Sequence, residues 1–440
     1  MKKRKKNKSF LIITIVGVIL LIVGTVVLIN KDKILKGNSN EKSELLQFKY
    51  SGNYINDHLV VSDGKKYGYV NSSGKVIFPL ENNLANAIED DNDLFGYYFV
   101  DSLAKYYKDG AYGIIDSNGN IKVDARFGDI EIYSKDVIIV SETFGSYILD
   151  SNFSSYFNDT YMHILANKLD LEHFIAENDS FKYGIIDKQN KAVIDFKYDN
   201  ISYFNSEDES NFIYVAQLGD KIDIYTKDLK KIDINNVSTV HWLKDNTFSY
   251  LDTNDIVHTY DIVSNKDEVY AEGYNFIYFY TDDLAMVSNF SGKYGYINTS
   301  KEEVITLKYN YSATEFINGY ASVCNASDSG IDCGVIDKTG KEVIGLKYDD
   351  IRVLSNNNFV VKDGDKFYIV DASDKKITSE YSNITVIESG KYFIVTDSNN
   401  KVGILDSNYE TFEEVKYKDI KYNEGVFTLR IDDGFYLLKV

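Results

Sequence analysis

The feature that most constrains this chain is a hexapeptide that keeps returning. Lys293-Tyr294-Gly295-Tyr296-Ile297-Asn298 is nearly copied by Lys66-Tyr67-Gly68-Tyr69-Val70-Asn71 and Lys182-Tyr183-Gly184-Ile185-Ile186-Asp187. Ala111-Tyr112-Gly113-Ile114-Ile115-Asp116 and Asp332-Cys333-Gly334-Val335-Ile336-Asp337 are looser copies. Each copy sets β-branched and aromatic residues between turn formers, which reads as a short strand. Side chains alternate along a strand, so Tyr294 and Tyr296 share one face while Gly295 and Ile297 share the other. Both faces are apolar, and the strand is expected to be covered on both sides. Glycine weakens a strand unless something needs the room; the expected occupant is a bulky side chain from the neighbouring repeat.

A polar turn follows each copy (Ser73-Gly74, Asn118-Gly119, Gln189-Asn190, Thr339-Gly340), then a second strand ending in Lys-Tyr, as in Val193 to Tyr198, Val304 to Tyr309 and Val343 to Tyr348. Two further short strands lead to the next copy. Aligning the position of Gly68 gives 68, 113, 147, 184, 223, 261, 295, 334, 368, 403 and 436, a mean spacing of about 37 residues. Gly403 is intact, whereas Tyr147, Asp223, Asp261, Tyr368 and Tyr436 replace the glycine. The chain therefore reads as an all-β repeat protein of about eleven antiparallel units, each needing only its neighbours for burial. The repeat domain opens on Leu45 to Tyr50, which resemble the second strand of a unit, and closes on Gly434 to Val440, which resemble the glycine strand. The two ends are natural partners, because folded proteins cover unpaired edges. That favours propeller-like closure in one or two rings, with an open β superhelix or solenoid as the alternative.

The unit resembles that of the WG-repeat (KWG-repeat) family, which runs roughly Gly-Lys-Trp-Gly-Tyr-Ile-Asp, a glycine turn, Val-Ile-Pro and Tyr-Asp. Tyrosine stands here for the usual tryptophan, and Pro79 is the only proline. The resemblance implies a repeat type and little about activity.

Residues 2–8 carry six basic side chains, and Phe10 to Ile29 is uncharged and long enough to span a bilayer. A cleaved leader would have a shorter apolar region and an Ala-x-Ala-like site. The expected organisation is a cytoplasmic basic tail (1–9), a transmembrane signal anchor (10–30), a flexible linker (31–44) and an extracytoplasmic repeat domain (45–440). Within the domain, Asp159 to Glu177 reads as partly helical, with Met162, Leu165 and Leu169 at helical spacing.

The chain carries −19 overall; residues 1–36 hold nine basic groups and Asp32, a net +8, which leaves −27 on the rest. So acidic a surface repels nucleic acid and anionic polymers. Asp90, Asp91 and Asp93 lack the spacing of a calcium loop, so solubility is the preferred account of that run over a metal site. Cys324 and Cys333 are the only cysteines; they flank one hairpin loop and could pair outside the membrane or be small buried residues. No two of the five histidines stand at close metal-ligand spacing, and no nucleophile, phosphate-loop or metalloprotease motif occurs. No cofactor is implied. His241-Trp242 holds the only tryptophan, either a core aromatic or a stacking surface. Two functions stand: a non-catalytic module that binds or scaffolds cell-envelope protein or glycan, or a carbohydrate-active hydrolase with paired carboxylates in a cleft.

Overall fold

The structure, a computed structural model, describes residues 42–82, 90–206, 208–270, 272–328 and 330–440. The expected tail, anchor and most of the linker (1–41) lie outside the described residues. Among those described, no helix is long and apolar enough to cross a membrane.

The fold is all-β, a propeller-type series of small antiparallel sheets. Eleven sheets of three or four strands follow one another in chain order among the described residues. The seventh sheet typifies them: Tyr274–Ile277, Leu284–Asn289, Tyr294–Asn298 and Glu303–Tyr309, each hydrogen-bonded to the next. Its glycine strand is third. Tyr296 and Ile297 are fully buried, one on each face, as the apolar character of both faces predicts.

Turn chemistry is the same in sheet after sheet. The Asn or Asp that ends the third strand accepts backbone N–H groups two and four residues on. Asn298 Oδ1 takes Ser300 N and Glu302 N, both at 3.0 Å; Asp337 Oδ1 takes Thr339 N at 2.9 Å and Lys341 N at 3.1 Å. Such side-chain acceptors close a tight turn without a second strand's help.

Cores are shared between successive sheets. Tyr296, Ile305 and Tyr309 of the seventh pack with Phe316, Ala321, Val323 and Ile336 of the eighth. Ile185, Ile194 and Tyr198 of the fourth pack with Ile201, Phe212 and Tyr214 of the fifth. A sheet so thin cannot bury both faces alone, so repetition supplies the missing layer.

The glycine has a different reason from the one the sequence suggests. In the seventh sheet Tyr294 pairs with Tyr309 and Tyr296 with Ile305. One residue, Gly295, therefore faces three on the fourth strand, a wide bulge. The same register break surrounds Gly68, Gly184, Gly334 and Gly403. A Cβ on Gly295 would lie 2.5 Å from the Ile305 carbonyl oxygen and 2.8 Å from Leu307 N. The occupant is thus backbone of the same sheet, not a neighbour's side chain. After the bulge the chain delivers its Lys-Tyr pair: Tyr309 is buried and the Lys308 ammonium lies 5.2 Å from its ring centroid.

The sheets without glycine lack that bulge. The third, fifth, ninth and eleventh have three strands, and the fourth strand of the sixth, Lys266–Val269, pairs in unbroken register. In the sixth sheet the aligned position is His258 rather than Asp261. Asp261 ends the strand as Asn298 does, its Oδ1 accepting Ser264 N at 2.7 Å. The replacing side chains reach back to the aromatic residue that closes the preceding sheet. Tyr147 meets Phe127 edge-on, and Tyr368 meets Tyr348 in the same way. Tyr198 donates to Asp223 at 2.7 Å.

Residues 159–177 are not helical. They form His163–Asn167 and Asp170–Glu177, paired antiparallel. Ile164, Phe174, Ile175 and Ala176 are buried, whereas Met162, Leu165 and Leu169 are the exposed set. Spacing of three and four between those residues coincided with a period of two in the ones that matter.

The chain divides into two compact units, one of residues up to 108, 114–122 and 421–440, the other of 109–113 and 123–420. In the first, the two ends of the described chain meet. Leu46 N donates to Phe435 O at 2.9 Å, Phe435 N returns a bond to Leu46 O at 3.0 Å, and Ser43 N donates to Leu437 O at 2.8 Å. Phe435 and Leu437 bury against Leu59, Val61 and Val70 of the first sheet.

Candidate functional site

The acidic run is built into this first unit. Asp90 caps the short 3-10 helix Asp91–Leu94 and accepts Asn92 N, while Asp93 accepts Asp90 N. Asp91 accepts Ser51 N at 2.8 Å, Lys421 Nζ at 2.8 Å and Arg430 Nη2 at 3.2 Å. These three carboxylates are committed to caps and ion pairs, an ordinary use of acids at a helix start. No group of three or more His, Cys, Asp or Glu among the described residues could hold a metal ion.

Cys324 and Cys333 face each other across Tyr320–Ser327 and Gly330–Asp337, with Cα atoms 4.1 Å apart and sulfurs at bonding distance. Both are buried. Cys333 occupies the place of Tyr294. The repeat tyrosines are structural: Tyr67 is buried and Tyr112, Tyr183 and Tyr294 half-buried, spread over separate sheets.

What sequence reasoning left undecided, His241-Trp242, leads to a cleft of about 510 Å³ on the sixth and seventh sheets. Trp242 lies in the second half of the strand Val237–Lys244, and its indole N–H donates to the Ile277 carbonyl. The donor is satisfied and the ring plane fixed. Phe279 stands edge-on to it at 5.8 Å; Tyr270 and Tyr280 complete the aromatic wall. The lining that sequence spacing could not reveal is 278–280, which follows the first strand of the next sheet. An aromatic triplet (Tyr278, Phe279, Tyr280) after a strand was the available signal.

Polar groups rim the aromatic floor. The Ser264 backbone N–H and hydroxyl hold Asp261 below the usual carboxylate range. Lys266 does the same for Glu268, with Lys301 adding to it at 3.3 Å. Two ring faces already carry cations, Lys244 over Phe279 at 3.8 Å and Lys301 over Tyr270 at 4.4 Å. A glycosidase acid must keep a carboxyl protonated near neutral pH. Asp261 and Glu268 are shifted in the opposite direction, which favours them as hydrogen-bond acceptors.

The family model described as "WG containing repeat" matches residues 112–142, 183–221, 294–326 and 334–367. The chain is a WG-repeat protein. Each match opens at a Tyr-Gly or Cys-Gly strand, crosses the strand after it and enters the next sheet, so one sequence repeat in this WG-repeat chain spans parts of two successive sheets. All four matches begin where the glycine is kept. No curated protein matches the sequence. Among solved structures it is similar to a eukaryotic initiation factor, at 12% identity over 72% of this chain and 97% of that one, with a TM-score of 0.36. It is also similar to BamB from Moraxella catarrhalis, at 11% identity over 63% and 92%, with a TM-score of 0.31.

Proposed function

We propose that this WG-repeat protein is a non-catalytic binding or scaffolding module. Residues 10–30 tether it to the cell membrane with the N-terminus inside, and the repeat domain faces cell-envelope protein or glycan outside. The observation that carries the binding reading is the cleft at Trp242, where aromatic rings and charged groups of both signs converge. A concave site of about 300–1,000 Å³ with an apolar floor and a few placed polar groups is the usual form of a small-ligand site. The uncharged run Phe10 to Ile29 behind six basic residues supports the tether.

The test uses full-length protein in mild detergent, sedimented with purified cell wall and, separately, cross-linked in native membranes. Saturable co-sedimentation, or a discrete cross-linked partner, is the expected result. Protein that stays in the supernatant and cross-links to nothing would overturn the reading. Protease added to wall-stripped cells should remove the domain; a fully protected chain would refute the topology.

A further inference from the structure

We infer that the cleft on the sixth and seventh sheets binds a neutral saccharide, with a sugar ring laid against the aromatic wall and its hydroxyls met by the rim. The inference deepens the binding reading above and rests on it.

Charge and saturation together select the ligand class. The aromatic rings offer apolar area that stays partly open: Phe279 and Tyr280 are half-buried, whereas Trp242 behind them is 7% exposed. Trp242's N–H is already used within the protein, so it presents to the cleft only its carbon framework. A ligand must therefore bring its own apolar face. The rim mixes acceptors that cannot donate, Asp261 and Glu268, with donors that cannot accept, Lys244 and Lys266. The Thr247 hydroxyl, 3.4 Å from Asp261, can do either.

A polyanion would meet three carboxylates, Asp245, Asp261 and Glu268. A cation would have to displace Lys244 from Phe279 and Lys301 from Tyr270, the ring faces it would itself seek. A polyhydroxyl ligand without charge meets no like-charge repulsion from the carboxylates or from the two lysines, and it needs only the ring area that Lys244 and Lys301 leave open. Its C–H faces suit rings, and each hydroxyl both donates and accepts, so opposite rim groups are satisfied at once. Buried polar groups left unpaired would penalise a purely apolar ligand.

Trp242 is the only tryptophan in the chain, so its emission, excited at the red edge where tyrosine is silent, reports this cleft alone. Full-length protein should be titrated with chitohexaose and maltohexaose as neutral probes, and with heparin and spermine as charged ones. Saturable change with at least one neutral oligosaccharide and none with heparin or spermine is expected. Phe279→Ala should weaken that binding roughly tenfold or more. Glu268→Gln, which keeps the side chain's shape, should weaken it less and leave the melting temperature nearly unchanged, which covers the case in which Phe279→Ala does not fold. Silence with both neutral probes would overturn the inference, as would a response to spermine or heparin alone. Silence here with continued wall co-sedimentation would remove the saccharide cleft and leave the binding module; loss of both would remove the two together.

Discussion

The sixth and seventh sheets treat one position in opposite ways. The seventh keeps Gly295 under a bulge, with the Ile305 carbonyl 2.5 Å from where a Cβ would stand. The sixth has His258 there, beside an unbulged strand, stacked on Tyr250 at 4.6 Å with Nδ1 3.1 Å from Asp267. Glycine is thus the mark of a bulged partner strand rather than of a crowded neighbour. Where the bulge is missing, a side chain occupies the space, and in the third and ninth sheets it packs on the preceding one. The comparison also places the cleft. It opens on the sixth sheet, which has neither the glycine nor the bulge, and on the residues after the first strand of the seventh.

The largest effect should come at the chain ends, where the eleventh sheet takes the segment 42–46 in place of a fourth strand. Gly434 sits at φ +149° and a Cβ there would fall 2.1 Å from Leu46 O. Gly434→Val combines backbone strain with overpacking, so a loss of about 2–5 kcal/mol is expected. Chemical denaturation measures it, and unchanged stability would mean the ends do not hold each other.

Next is the eighth sheet, which keeps its glycine but has Cys333 in place of tyrosine. Replacing both cysteines by serine should cost about 2–3 kcal/mol on the chain-entropy model. Alkylation of protein made outside the membrane should label neither thiol before reduction and both after; two free thiols would show that packing alone suffices.

Gly295→Val should cost roughly 1–3 kcal/mol by overpacking, despite valine's better strand propensity. His258→Val, at the unbulged equivalent, should cost less than the glycine change. If the two melting temperatures fall equally, the bulge is not what requires glycine.

The smallest effect concerns the turns. The Ser154 N–H lowers the pKa of Asp150, and the Ser373 hydroxyl that of Asp371. A carboxylate with a depressed folded pKa contributes stability that is complete above its unfolded value of about 3.9, and loses it as pH falls through the folded value. Melting temperature should therefore drop on acidification below about pH 4. Asp371→Asn, which copies the turn that Asn298 already makes, should slightly flatten that drop while leaving neutral stability in place. An unaltered acid profile would mean the turn carboxylates carry none of it.

The number of sheets, the turn residues and the pairing of the two ends of the repeat domain were legible in the sequence. Each rests on local pattern: alternation, glycine or Asn turns, and a last strand that lacks its partner. The grouping of strands was not legible, because each sheet opens before its glycine strand and five of the described sheets have three strands. Residues 159–177 were misread because helical and strand spacings overlap in a short stretch with several apolar residues. Asp261 stood for His258 at the glycine position in the sequence reading because its sheet has neither the glycine nor the bulge that sets register elsewhere. The cleft was half legible: Trp242 stood out, but nothing in the chain connects it to Phe279 or Glu268.

Sequence by itself determined that this is a WG-type β-repeat chain, because period and turn chemistry are encoded residue by residue within each unit. Tertiary structure alone decided why the glycines are there, which carboxylates are spent on caps and ion pairs, and which rings share a cleft. Those depend on distances across strands and between successive sheets, and a carbonyl oxygen that would stand 2.5 Å from a Cβ at Gly295 leaves no mark in the spacing of letters.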